Sequence, residues 1–430
     1  MELITSNIYL VLYLTAWLVT FISYQKKKQI FDAGSFLIFL QLLWSIMSLA
    51  LYNGSVYTFN YLTLFPFIYL FVFNLMIMWP IIKYDYKKIN IIQKPNSILL
   101  NIISIVFITA SFFYFSTIIS DIFTSMAILF IDSVGGATLY NEARELGFTQ
   151  NDGNISNLSA IISSAMSGIG IFMTVYYLTL KKSNKLILFG LILSVVVNIL
   201  PSISSGQRNG IVETLLIFMI TYFALNKFIL KKYKKRIKRY SFLIIILMII
   251  PFITITNSRF GDISNSNHTV LDSIYLYAGQ ENLYFNNYGL DNGGIRNGDR
   301  TFPLFKSMLG YRNVPQNFWD RRNKYSNLEI NDSVFIGNIG DFTLDFGPFI
   351  APFIFIFFTL FVLKKTRIRN GRIQLHQLVL LHFLMYACVI GGFKLYPFSD
   401  TAGNLKLIVY LITYLIFKSN YLIKNIKYST

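Results

Sequence analysis

Ser204-Ser205-Gly206-Gln207-Arg208-Asn209-Gly210 is a polar gap between two apolar runs, one over 183–203 and one over 211–230. Each run has about the 20 residues that an α-helix needs to cross hydrocarbon. A guanidinium near the bilayer core costs at least about 2.5 kcal/mol at a helix centre, so an arginine at this hairpin tip is a functional-site signal. Arg208 is charged at every accessible pH, and its planar fork suits phosphate or carboxylate. Gly206 and Gly210 permit a tight turn and close approach of a ligand to the backbone. The plainer alternative is a polar turn whose arginine bonds lipid headgroups or helix-end carbonyls.

Similar apolar runs recur along the whole chain. Of 430 residues, 54% are hydrophobic and 13% charged, against about 25% charged in a soluble domain. The pattern predicts eleven spans: 5–24, 34–52, 61–82, 98–120, 157–180, 183–203, 211–230, 241–256, 342–363, 374–393 and 403–418. The eighth is short, and the sixth and seventh also read as a re-entrant or broken pair. The expected fold is all-α and polytopic, a single membrane domain over 1–430 with about 11 transmembrane helices. It carries a medium outer loop over 121–156 and a large extracytoplasmic loop over 257–341 containing short helices. The first run, Ile8 to Ile22, has no basic stretch before it and Lys26-Lys27-Lys28 after it. That order predicts a retained helix, not a cleaved signal. Cys388 is the only cysteine, so no intrachain disulfide or cysteine metal cage is expected.

The formal charge of +18 is unevenly placed. Basic residues crowd into 25–33, 83–97, 181–185, 227–240, 364–373 and 418–430, where Asp32 and Asp85 are the only acids. The positive-inside rule makes these segments cytoplasmic. An odd number of spans then puts the amino terminus outside and the carboxyl terminus inside. The basic excess is thus a topology signal, not a nucleic-acid footprint. Its densest run, Lys231-Lys232-Tyr233-Lys234-Lys235-Arg236-Ile237-Lys238-Arg239, also suits anionic lipid heads.

Polar chemistry gathers in the outer segments. The loop over 257–341 holds nine acids, among them Glu281 and Asp341, and the arginines Arg259, Arg296, Arg300, Arg312, Arg321 and Arg322. Loops of this length are usually functional. Asp272 to Tyr288 has the spacing of an amphipathic helix, with Tyr277, Glu281, Tyr284, Phe285 and Tyr288 on one face. Those rings suit the membrane interface, or stacking on sugars. Gly279 weakens that helix, and Gly289 to Arg300 should be turn or coil. In the medium loop, Tyr140 to Phe148 predicts a short helix stopped by Gly147, with Arg144 pairing its neighbouring glutamates or reaching a substrate. No Walker A run is present, so ATP-driven work is not expected. HExxH and Asp-x-Asp are missing, and His268, His376 and His382 are scattered, so no metal site and no cofactor are expected.

The Ser-Ser-Gly-Gln-Arg-Asn-Gly tip is similar to the Ser-Gly-x-Arg pattern of bacterial O-antigen (oligosaccharide repeat-unit) polymerases of the Wzy type. Three further stretches resemble that family: Asn257-Ser258-Arg259-Phe260-Gly261 opening the long loop, Gly340-Asp341-Phe342-Thr343-Leu344-Asp345-Phe346-Gly347 entering the next helix, and Arg144 in Glu-Ala-Arg-Glu. The resemblance implies a multi-pass protein of the bacterial cytoplasmic membrane. Its partners would be membrane lipid, an undecaprenyl-pyrophosphate-linked oligosaccharide and a chain-length regulator. Its product would be surface polysaccharide, O-antigen or capsule. The implied enzyme is a metal-independent glycosyltransferase whose arginines stabilise the leaving pyrophosphate: Arg208 first, Arg259 next, then Arg144 and Arg312. Glu281, His268 and Asp341 are the candidate bases for the incoming hydroxyl. A lipid-linked oligosaccharide flippase and an O-antigen ligase are the competing readings.

Overall fold

The computed structural model describes residues 2–54, 57–84, 86–132, 135–149, 158–260, 270–315, 317–330 and 334–427. In chain order the helices are α1 Glu2–Lys28, α2 Ala33–Tyr52, α3 Leu64–Lys83, α4 Ser97–Ile131, α5 Gly135–Thr149, α6 Leu158–Tyr177, α7 Lys185–Val197 and α8 Leu200–Ser204. There follow α9 Asn209–Leu225, α10 Lys231–Phe260, α11 Val270–Tyr288, α12 Pro303–Met308, α13 Phe318–Lys324, α14 Gly337–Lys365, α15 Leu375–Ile390 and α16 Asp400–Lys427. One short parallel pair joins β1, Ile91–Gln93, to β2, Arg372–Gln374, with Ile92 opposite Ile373.

The chain divides into two compact units. One is Met1–Lys94 with Leu271–Thr430; the other is Pro95–Val270. Among the described residues, nine helices are long and apolar enough to cross a membrane. Two further expected spans fall on helices of other character. α15 is apolar but only 16 residues long, and the eighth run is the second half of α10, a helix that begins in the basic stretch at Lys231.

Local chemistry explains several boundaries. Asp32 caps α2: its carboxylate accepts from Ser35 N at 2.8 Å, and Ser35 Oγ accepts from Asp32 N at 3.2 Å. This reciprocal pair satisfies two otherwise orphaned donors. Asn184 caps α7 by accepting from Leu186 N at 2.9 Å. α7 ends at Asn198, whose side chain donates to Ser194 O at 2.8 Å and to Ser111 Oγ at 3.2 Å and accepts from Ser163 Oγ at 3.1 Å. The sixth span is therefore a broken helix, α7 then α8, with Pro201 starting the second piece.

The expected outer loops contain more helix than their composition suggested. α4 does not stop at 120 but continues to Ile131, because 121–131 stays rich in apolar helix formers. At 35 residues it is about 50 Å long, well beyond the roughly 30 Å of hydrocarbon. Gly147 does not stop the following helix; α5 runs on to Thr149. α11 passes unbroken through Gly279, where a side chain would lie 2.6 Å from the Met47 backbone of α2, so glycine permits the close crossing of the two helices. α14 starts at Gly337, ahead of the expected 342, and kinks at Gly347 before Pro348 and Pro352.

Candidate functional site

Arg208 lies in the second unit, at the position that caps α9. The turn before it is made by Gly206, whose φ of +59° favours glycine. A side chain at Gly206 would also meet Gly136 O of α5 at 2.6 Å. Arg208 is buried. Its Nη1 donates to Thr256 Oγ1 of α10 at 3.0 Å, and its guanidinium lies 5.5 Å from the centre of the Phe252 ring. Thr256 in turn donates to Phe252 O at 2.6 Å. Gly136 of α5 faces Ser258 of α10 closely enough that a methyl would collide with its hydroxyl. The Arg208 turn thus meets α5 and the end of α10, the helices that carry Arg144 and Arg259. The side chains of those two arginines lie outside the described residues.

The first unit holds a buried charge cluster at the start of α14. Asp341 and Asp345 are one helical turn apart and fully buried. They face Arg296 and Arg300, spaced by the same interval on the preceding coil. Arg296 Nε lies 2.7 Å from Asp345 Oδ1, and its Nη2 lies 3.4 Å from Asp341 Oδ1. Arg300 Nε is also 3.4 Å from Asp341 Oδ1. Backbone donors complete the set: Tyr396 N to Asp341 Oδ2 at 2.7 Å, and Thr301 N to Asp345 Oδ2 at 2.7 Å. The Thr301 hydroxyl also donates to Asp345 Oδ2. Burying ions is costly, and the opposed charges with these backbone donors offset part of that cost. Asp341, one of the candidate bases, thus sits against the Arg296 and Arg300 guanidiniums and the Tyr396 amide.

A second knot fastens the same loop. Asp299 accepts from Lys306, from Lys324 at 2.6 Å and from the Tyr325 hydroxyl at 2.7 Å. Burial by itself would raise the Asp299 carboxyl. The bonds from Lys306, Lys324 and Tyr325 together outweigh it and hold the pKa below the ordinary value. Arg321 closes the far side on Asp400 at 2.6 Å.

Glu281 stands apart from these pairs. It is 1% exposed on α11, and among the described residues its Oε2 has no hydrogen-bond partner. Burial first, and the nearby Asp341 second, push its pKa well above the usual carboxylate range. Gly337 opens α14 beside it, with φ +74° and room for no side chain, since a Cβ would strike Glu281 Oε1. The aromatic face expected on α11 makes contacts within the protein. Phe285 stacks on Tyr69 at 5.7 Å, Tyr277 meets Phe335 edge-on at 5.1 Å, and Tyr284 meets Phe59 at 5.3 Å. Phe285 is buried, and Tyr277 and Tyr284 stay partly exposed.

Of the remaining candidates, Arg312 is exposed and His268 lies outside the described residues. His382 is buried, with Nδ1 hydrogen-bonded to the Tyr410 hydroxyl at 2.8 Å. The pairing of Arg296 and Arg300 with Asp341 and Asp345 escaped the sequence reading, although the matched four-residue spacing of both pairs was visible. Comparison with protein-family models, with curated proteins and with solved structures found no match.

Proposed function

We propose that this chain joins oligosaccharide repeat units carried on undecaprenyl pyrophosphate, at the outer face of a bacterial cytoplasmic membrane, into a surface polysaccharide. The observation that carries the reading is Arg208: a buried, permanently charged guanidinium at a glycine-framed break between two apolar helices. In the reaction, a sugar hydroxyl of one lipid-linked unit attacks C1 of the sugar on another. The C1–O bond to the pyrophosphate breaks, the lipid pyrophosphate leaves with the electron pair, and the hydroxyl proton passes to a base. A fixed guanidinium opposite the leaving phosphate lowers the barrier by stabilising the charge that develops there. The Thr256 bond and the Phe252 ring hold Arg208 in one orientation, as preorganised stabilisation requires. The positive-inside pattern supports eleven spans, with the amino terminus outside and the carboxyl terminus in the cytoplasm.

The test uses purified protein and a single lipid-linked repeat unit. A ladder of product lengths is expected. No extension at all would point to a flippase, and product only on adding a second lipid acceptor would point to a ligase.

A further inference from the structure

Within the first unit, α14, α15 and α16 enclose an apolar cavity of about 300 Å3. Ring faces wall it, among them Phe355, Phe358, Phe383, Tyr410 and Tyr414. The wall follows α15 from Val379 to Ala387, about 12 Å at 1.5 Å per residue. One end is formed by Phe302, Asn338 and Tyr396, next to the buried cluster, because the Tyr396 amide donates to Asp341. The side is open: Leu411 and Phe361 line the cavity and are 53% and 38% exposed. All three helices are apolar, so this opening faces hydrocarbon when they lie in a bilayer.

A cation stands near the same end. Lys406 lies one helical turn before Tyr410 on α16, on the same face. Its ammonium is 3.3 Å from the Tyr386 hydroxyl and 5.9 Å from the centre of that ring. An ionisable group inside a membrane helix marks a functional site by default. An apolar groove with a lateral opening and a lysine near its end matches one kind of molecule, an anionic lipid with a long chain. Rigid ring walls favour a methyl-branched unsaturated chain. Such a chain has fewer free rotations than a saturated acyl chain and loses less entropy when ordered.

We infer that this groove seats the proximal part of a polyprenyl phosphate chain, with Lys406 as a ligand for its phosphate. The inference deepens the polymerase reading and rests on it for the identity of the lipid. At about 300 Å3 the cavity is at the small end of ligand pockets. It holds a stretch of the chain, and the rest runs out past Leu411 into the bilayer.

The experiment places the full-length protein in nanodiscs of phosphatidylethanolamine and phosphatidylglycerol. The probe is a polyprenyl monophosphate bearing a diazirine on its chain. After irradiation, adducts are expected in 354–361, 379–387 and 407–414, and excess phosphatidylglycerol should leave them in place. Leu384→Trp and Leu411→Trp fill the groove and should each cut adduct yield about tenfold. Leu411 is half exposed, so its replacement tests the site even where Leu384→Trp fails to fold. Lys406→Gln should weaken capture of the phosphate about tenfold, and leave capture of the uncharged polyprenol unchanged. Adducts spread over all lipid-facing helices, or displacement by phosphatidylglycerol, would overturn the groove. Equal loss of phosphate and alcohol in Lys406→Gln would overturn the role of the lysine. The two readings fail separately. Groove adducts with no polymer ladder remove the polymerase and keep the lipid seat. A normal ladder in both tryptophan variants removes the seat and keeps the polymerase.

Discussion

At the scale of single residues, Arg208 and Glu281 make opposite demands on the protein. Arg208 cannot shed its charge, so its surroundings must accept it. Glu281 can, and burial pushes its carboxyl toward the neutral form. Arg208→Ala is expected to abolish polymer while protein level stays normal. Arg208→Lys should also be strongly impaired, since an ammonium keeps the charge and loses the fork. A wild-type ladder in Arg208→Ala would return this residue to the status of a polar turn. For Glu281 the prediction concerns pH. A carboxyl with a raised folded-state pKa contributes stability that is complete below its unfolded value and is lost as pH rises through the folded value. Thermal midpoints taken from about pH 5 to about pH 9 should therefore fall less steeply in Glu281→Gln than in the wild type. Parallel profiles would remove the buried neutral carboxyl. Arg208 was legible in the sequence because a charge between apolar runs is conspicuous. The partners of Arg296 were not, because Asp341 and Asp345 lie more than 40 residues downstream and only the folded loop brings them together.

At the scale of elements, α14 organises the first unit. Its first two turns supply both carboxylates, and it then kinks at Gly347. Asp345→Asn leaves Arg296 buried without its closest counter-charge, a change that typically costs about 3–5 kcal/mol. The purified variant should unfold at a clearly lower temperature. An unchanged midpoint in Asp345→Asn would mean that the cluster does not hold the loop. Helix positions were readable from apolar runs, and the ends were not. α5 continues past Gly147 and α11 through Gly279, because packing and continuing helix formers override a single glycine whose propensity cost is only about 1 kcal/mol.

At the scale of the whole molecule, composition and charge order make a testable map. Lys234 and Lys365 are expected in the cytoplasm, Asn292 and Arg322 outside. Asn292 itself is buried, so its exposed neighbour Asp291 carries the label. Single cysteines at 234, 291, 322 and 365, on a Cys388→Ser background, should react with a membrane-impermeant reagent in intact cells only at 291 and 322. Reaction at 234 but not at 291 would invert the map. The division into two units was not readable from sequence, because apolar runs look alike whichever neighbours they pack against.

That division has a consequence for synthesis. The middle unit, Pro95–Val270, interrupts the other one. A ribosome working at about 5–20 residues per second leaves α1, α2 and α3 in the bilayer for roughly 10–35 s before α11 emerges. During that wait α2 lacks the helix that will rest on its Met47–Ser48 backbone. Ser48 can bridge the delay by itself. Its hydroxyl donates to Trp44 O within α2 at 2.9 Å, and only later shares itself with Gly279 O and the Asn282 amide of α11. The nascent helix thus carries its own temporary partner for a group that lipid could not satisfy.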